Sequence, residues 1–162
     1  MSDTVTIRPA GPDEVCLVLQ FIRDLARYER LEHEVSASEA ELAGALFGER
    51  RYAEVVFACD GGAPVGFALF FHNFSTFVGR PGLYLEDVFV KPEKRGCGYG
   101  KAMLARLASI AVERNCGRFE WAVLNWNTPA IDFYKSLGAS PVDDWTIFRM
   151  TGTSLEALAE RD

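Results

Sequence analysis

Six residues, Arg95-Gly96-Cys97-Gly98-Tyr99-Gly100, limit most tightly how this chain folds. Alternating glycines weaken strand and helix alike, so the run predicts a loop. Before it, Leu83 to Val90 (LYLEDVFV) is rich in apolar, β-branched and aromatic residues and predicts a strand. After it, Met103, Leu104, Leu107, Ile110 and Ala111 recur at helical spacing, and Asn115-Cys116-Gly117 ends that helix. A strand that enters a helix through glycines is suited to phosphate. The first N–H groups of a helix lack internal partners, and the helix dipole adds partial positive charge there. Glycines let an anion approach the backbone closely. Arg95 and Lys101 add charge at the two ends of the loop.

Spacing narrows the ligand. A P-loop needs GxxxxGK followed by Ser or Thr, but Lys101 is followed by Ala102 and Arg95 occupies the place of the first glycine. A dinucleotide fingerprint runs GxGxxG after a first strand, whereas these glycines run GxGxG after what reads as the fourth. From the loop alone, a purely structural turn is the alternative.

The rest of the chain sets the architecture. Thr4 to Arg8 reads as a strand, and Pro12-Asp13-Glu14 opens a helix whose face is Val15, Leu19, Ile22, Leu25 and Ala26. Ser38 and Glu41 have capping-box spacing before a second helix, with Gly48 as its stop. Tyr52 to Cys59 and Pro64 to Phe71 read as strands joined by Asp60-Gly61-Gly62-Ala63, and with Leu83 to Val90 they form an antiparallel meander. Arg118 to Leu124 is a further strand. A short helix follows, capped by Thr128 with Pro129 at its first position and ended by Gly138. Trp145 to Met150 reads as a last strand, and Thr153 with Glu156 cap a terminal helix. The expected fold is mixed α/β, with a central, partly antiparallel sheet flanked by helices. At 162 residues the chain fits one domain, 1–162.

Several function classes drop out. A formal charge of −6 argues against nucleic acid as the main partner. No apolar run approaches bilayer length, and no secretion signal opens the chain. Four scattered cysteines then read as reduced thiols of a cytoplasmic protein. Two histidines, His33 and His72, exclude a multi-histidine metal site, and no HExxH or CxxC set stands in for one. No metal is expected. No GxSxG supplies a nucleophilic serine.

The segments YLEDVFVKPEKRGCGYGKAML and VLNWNTPAIDFYKSLGA together are more specific than the loop. They resemble the GNAT superfamily of acetyl-CoA-dependent N-acetyltransferases. Its [Q/R]xxGx[G/A] motif is matched by Arg95, Gly98 and Gly100. Tyr28-Glu29, Tyr84-Leu85-Glu86-Asp87, Trp126-Asn127 and Phe133-Tyr134-Lys135 bring the resemblance closest to the spermidine/spermine and thialysine N-acetyltransferases.

The resemblance implies roles position by position. Val88, Phe89 and Val90 match a strand that pairs with the pantetheine arm, and Arg95, Gly96, Cys97, Gly98, Tyr99, Gly100 and Lys101 match the pyrophosphate cradle. Asn127, Thr128, Pro129 and Ala130 match a further acetyl-CoA contact. Tyr134 matches the general acid. Tyr28, Glu29, Glu86, Glu120, Trp121 and Ala122 match amine-substrate positions. Asn125 stands where similar enzymes often carry an acid. Similar proteins are homodimers, which makes a homodimer the expected assembly. The implied substrate is a small cationic amine of polyamine, diamine, thialysine or lysine type. A protein N-terminus or lysine is the alternative acceptor, and a non-catalytic acetyl-CoA-binding module is the alternative class.

The chemistry fits these residue types. An alkylammonium with a pKa of ~10.4 is neutral in about one molecule in 2,500 at pH 7, a cost of roughly 4.6 kcal/mol. A nearby carboxylate binds the cation and relays its proton. Strand alternation sends Glu86 and Asp87 to opposite faces, so one of them faces a given cleft, and the resemblance favours Glu86. A purely binding role is its alternative. Tyr134 as proton donor to the departing thiolate has a core tyrosine beside Ile131 and Leu137 as its alternative. Cys97 lies in the phosphate loop, away from the thioester, which favours direct transfer in a ternary complex over an acetyl-enzyme.

Overall fold

The computed structural model describes residues 5–161. The chain forms two units, Met1–Ala122 and Val123–Asp162. The first holds strands β1 (Thr6–Pro9), β2 (Glu54–Asp60), β3 (Ala63–Ser75), β4 (Arg80–Val90) and β5 (Arg118–Trp121). Its helices are α1 (Val15–Glu29), α2 (Glu39–Phe47) and α3 (Tyr99–Glu113). The sheet order is β1-β2-β3-β4-β5, antiparallel throughout except for the parallel pair β4–β5.

Local chemistry explains most boundaries. Gly61 and Gly62 both have positive φ, 54° and 88°, as a two-residue hairpin loop between paired Asp60 and Ala63 requires. Ser38 and Glu41 form the expected capping box: Glu41 N–H donates to Ser38 Oγ at 3.2 Å and Ser38 N–H to Glu41 Oε2 at 2.8 Å. A 3₁₀ turn, Pro12–Glu14, leads into α1. There the Glu14 carboxylate accepts from Gly11 N–H and from both terminal nitrogens of Arg8.

The sheet is covered on two sides. Phe21 of α1 stacks on Phe67 (5.4 Å between ring centroids) and lies near Phe57 and Phe89, in a core with Val18, Leu25, Leu46 and Val55. Against the opposite face lies α3. A Cβ on Gly66 would come within 3.2 Å of Met103 Cε and 2.7 Å of the Phe89 carbonyl oxygen, so glycine lets strand and helix close up there.

One irregularity matters for the site. Leu69 pairs with Asp87 but Phe70 pairs with Leu85, so Glu86 has no partner on β3 and forms a β-bulge. Leu85, opposite Phe70, keeps to the α3 face, where Arg114 sits over the Phe70 ring. Asp87 and Phe89, opposite Leu69 and Phe67, lie on the α1 face.

In the second unit, α4 (Thr128–Ser136) and α5 (Gly152–Ala159) are the helices. Asn127, one residue earlier than expected, caps α4 by accepting from Ala130 N–H at 3.4 Å, which moves Thr128 and Pro129 into the first turn. Gly138, with φ 92°, follows the helix end as expected. Trp145 to Met150 is not a strand. Strand propensity alone makes no ladder, and the second unit itself holds no strand among the described residues; Trp145 and Phe148 are 76% and 92% exposed. Helix α5 begins after Thr151, which makes no side-chain cap, so Thr153 lies inside the helix rather than capping it. The strand expected over Arg118 to Leu124 stops at Trp121, and Thr4 of the first expected strand lies outside the described residues. Among the described residues no helix is long and apolar enough to cross a membrane. His33 and His72 are both exposed, as surface histidines are.

Candidate active site

The glycine loop lies where the sequence puts it. A 3₁₀ turn, Pro92–Lys94, leaves β4, and Lys94 Nζ pins it to Asp60 Oδ2 at 2.5 Å. Arg95 turns back on the strand. Its Nε donates to the Val90 carbonyl oxygen at 3.0 Å, and its guanidinium lies 4.5 Å from the Tyr28 ring centroid and 5.4 Å from that of Phe89. Gly96 and Gly98 have φ of 75° and 88°, conformations that favour glycine. Gly98 is the N-cap of α3 and has no side chain with which to cap it. Buried Tyr99 starts the helix and anchors it.

Gly100 is the informative glycine. It sits in the first turn of α3 without positive φ, and a Cβ there would meet no protein atom within 4 Å. Glycine in a helix costs about 1 kcal/mol relative to alanine. Neither backbone strain nor packing explains it, but space for a ligand at an uncapped helix N-terminus does. Lys101, the next residue of α3, is exposed.

Beside the loop, the sheet opens. β5 pairs with β4 only from Gly82↔Arg118 to Leu85↔Trp121. Among the described residues no strand pairs with Glu86 to Val90 on that side, leaving about 16 Å of β4 edge in mid-sheet. An extended chain with amide groups has a ready-made place along Val88, Phe89 and Val90. The opening begins at the Glu86 bulge.

The acids gather on the α1 face. A cavity of about 300 Å³ is lined by Ile22, Leu25, Glu29, Glu34, Val35 and Asp87, among others. Burial pushes the Glu29 carboxyl above the ordinary range. Asp87 is pushed up to about 6, first by burial and then by the negative charges of Glu86 and Glu29. Glu86 is exposed. Burial, helped by Glu86 and Glu120, also raises Tyr84, whose ring packs against Phe71 at 5.2 Å.

The predicted residues thus fall into groups. Tyr28 meets Arg95 of the loop, while Glu29 meets Asp87 in the cavity. Asp87, the alternative to Glu86 in the sequence, lines the cavity because the Glu86 bulge shifts the register of β4 against β3. Glu120 is engaged by Arg118 Nε at 2.5 Å and by Asn73 at 3.5 Å, with Trp121 packed on Phe119 and exposed Ala122 following. In the second unit, Asn127 is buried at the α4 cap and Tyr134 is half-buried, its ring 5.6 Å from that of Phe133. Cys97 is exposed, with its Sγ 3.6 Å from the Arg95 carbonyl oxygen. Among the described residues no group of three or more His, Cys, Asp or Glu is arranged to hold a metal.

This geometry has relatives. The profile of the Acetyltransferase (GNAT) family matches residues 19–139. The thialysine N-epsilon-acetyltransferase of Sus scrofa is 38% identical over 96% of this chain and 98% of its own length. The L-ornithine N5-acetyltransferase NATA1 of Arabidopsis thaliana is 32% identical over 94% of this chain and 86% of its own. Among solved structures, the integron cassette protein VCH_CASS6 from the mobile metagenome of V. cholerae superposes with a TM-score of 0.80 at 31% identity, covering 99% of both chains. With its glycine loop, opened sheet and matching length, the chain belongs to the GNAT family of acetyltransferases.

Proposed function

We propose that this acetyltransferase moves an acetyl group from acetyl-CoA to the primary amine of a small cationic molecule, of the thialysine, lysine, diamine or polyamine kind, by direct transfer in a ternary complex. The observation that carries this reading is the pairing of an open, glycine-lined helix start with a cavity where Glu29 and Asp87 lie together, both carboxyls raised first by burial. The first suits an anionic diphosphate and the second an ammonium.

The chain's residues divide the work. Arg95 to Lys101 hold the diphosphate through main-chain amides, and the free edge of Val88, Phe89 and Val90 receives the pantetheine arm, with Asn127 to Ala130 as a further contact. Bound acetyl-CoA supplies an activated acyl group on a thiol leaving group. Tyr28, Glu29 and Glu86 attract and orient the ammonium, with Glu120, Trp121 and Ala122 at the strand end beyond. Tyr134, which the family motif matches, gives a proton to the departing thiolate.

A coupled thiol-release assay over thialysine, lysine, ornithine, putrescine, spermidine, spermine and lysine peptides tests the substrate class. Free amines are expected to support turnover. Activity confined to peptides would move the assignment to protein acceptors. Tyr134→Phe is expected to lower kcat about 100-fold with acetyl-CoA affinity intact; unchanged turnover removes Tyr134 from the mechanism.

A further inference from the structure

We infer that a second cavity, between β1, β2 and the C-terminal half of α3, binds a small monocarboxylate with an apolar body, an aromatic or aliphatic acid. The cavity encloses about 240 Å³. Val56 and Phe70 line it from the sheet and Ile110 from α3, and all three are buried. Val55 and Phe57 belong to the α1 core, so strand alternation turns Val56 to the α3 face. The rim of this apolar floor is basic. Arg51, between α2 and β2, joins Arg106 of α3 and Arg114 at its C-cap, with Glu54 and Glu113 as the acids among them. Ile110 lies about 16 Å along α3 from Tyr99, so this cavity and the glycine loop use opposite ends of one helix.

The rim charges do not cancel. Arg114 is the fixed wall: its Nη2 donates to Glu54 Oε1 at 2.9 Å, and its guanidinium lies 5.9 Å from the Phe70 ring centroid. Arg8, which also lines the cavity, is held by Glu14. Arg106 meets Glu113 at 3.0 Å on the same helix, with both side chains about half exposed. A surface pair of that kind contributes little and yields readily to a better partner. Arg51 forms no ion pair among the described residues. Three rim arginines against two acids leave a surplus of one positive charge, at Arg51. The chain as a whole carries −6, so an anion is repelled by most of its surface and welcomed at this rim.

Charge, shape and size select the ligand. One surplus guanidinium matches one carboxylate, whose two oxygens fit the planar arginine fork. An apolar floor with a few polar groups at its edge is the usual form of a small-molecule site. A dry cavity of about 150 Å³ holds benzene. The larger volume here admits a ring or a six-carbon chain with its carboxylate at the rim. Inorganic phosphate would meet the charge and leave Val56, Phe70 and Ile110 uncovered. None of the lining residues belongs to the glycine loop, the free β4 edge or the acidic cavity, so the inference is independent of the acetyl-transfer reading.

The test titrates benzoate, benzamide and inorganic phosphate separately into the full chain, read by calorimetry and by valine and isoleucine methyl NMR. Benzoate is expected to saturate with a Kd of about 1 mM or tighter, the range for a ligand of its size. It is expected to move the methyl signals of Val56 and Ile110 and to leave those of Val88 and Val90 in place. Benzamide, which keeps the ring and loses the charge, is expected to bind about tenfold more weakly or worse, and phosphate likewise. Arg51→Gln is expected to weaken benzoate about fivefold or more. Arg27→Gln, which removes another exposed arginine on α1, is expected to leave benzoate binding within about twofold of wild type. Saturating coenzyme A is expected to leave it unchanged. No saturation by about 20 mM benzoate overturns the inference. So does benzamide or phosphate binding as tightly as benzoate, or an equal loss in the two arginine variants. Displacement of benzoate by coenzyme A, or shifts at Val88 and Val90 in place of Val56 and Ile110, puts the anion in the diphosphate space and overturns the inference as well.

Discussion

Two groups of carboxylates in the first unit have opposite fates. At the entrance to α1, Glu14 receives both terminal nitrogens of Arg8, at 2.7 and 2.8 Å, together with the Gly11 N–H, and the Arg8 hydrogen bonds lead in holding it down at about 2. In the α1–β4 cavity, Asp87 and Glu29 sit beside one another with burial as the main influence on each, and both are raised. A fold left to optimise itself pairs its charges. Glu14 is such a case: it joins β1 to the first turn of α1. Asp87 is the opposite case: ionised at neutral pH, it raises the energy of the folded chain.

This contrast gives opposite pH signatures, and the larger belongs to Asp87. Its folded pKa lies above the unfolded value, so its contribution is most favourable below about pH 4 and is lost as pH rises through about 6. Asp87→Asn removes that loss. It is expected to be more stable than wild type by about 2 kcal/mol at pH 8, with the two converging toward pH 4. Urea unfolding at both pH values measures the difference. A variant less stable than wild type at pH 8 would mean that Asp87 has a partner in solution and belongs with Glu14.

Glu14 has the reverse sign. Its folded pKa lies below the unfolded value, so its stabilisation is present above about pH 4.5 and is lost as pH falls toward 2. Glu14→Gln is expected to cost about 1 kcal/mol at pH 7, a figure already reduced for solvent screening because the Arg8 side chain is 41% exposed. The gap to wild type is expected to close in acid. A constant gap from pH 7 to pH 3 would trace the loss to packing instead.

What could be read from the sequence divides along the same line. The glycine loop, the Ser38–Glu41 box and the Gly61-Gly62 hairpin are local. Each depends on residues within about four positions, where propensity and capping chemistry decide. The Glu86 bulge is not local. It depends on how β4 registers against β3, 16 residues away at Phe70, and a period-two reading of one strand cannot show it. The Arg95–Tyr28 contact also joins distant segments, 67 residues apart, which no local pattern shows. Trp145 to Met150 fails for a related reason. Its composition suits a strand, but a strand also needs a neighbouring edge, which no propensity supplies. Half of the candidate site, the loop, was therefore visible from its letters. The other half, the acid that faces the cavity, needed the fold.

The smallest effect in stability is the most direct test of whether a residue serves the fold or its ligand. Gly100 is held by nothing in the protein: its φ is not positive, and a Cβ would meet no atom within 4 Å. In the apo protein, Gly100→Ala is expected to add roughly 0.5–1 kcal/mol, the helix preference of alanine over glycine. The same methyl group projects into the space assigned to the diphosphate and is expected to weaken acetyl-CoA binding at least tenfold. Gly98→Ala is the control, because φ of 88° strains any side chain there and predicts lower stability whatever binds. Thermal melting with and without acetyl-CoA reads both quantities: Gly100→Ala melts higher than wild type alone and gains less from the ligand. If the alanine at 100 stabilises the apo chain and leaves the ligand-induced gain intact, the diphosphate does not lie over this turn, and Gly100 requires another account.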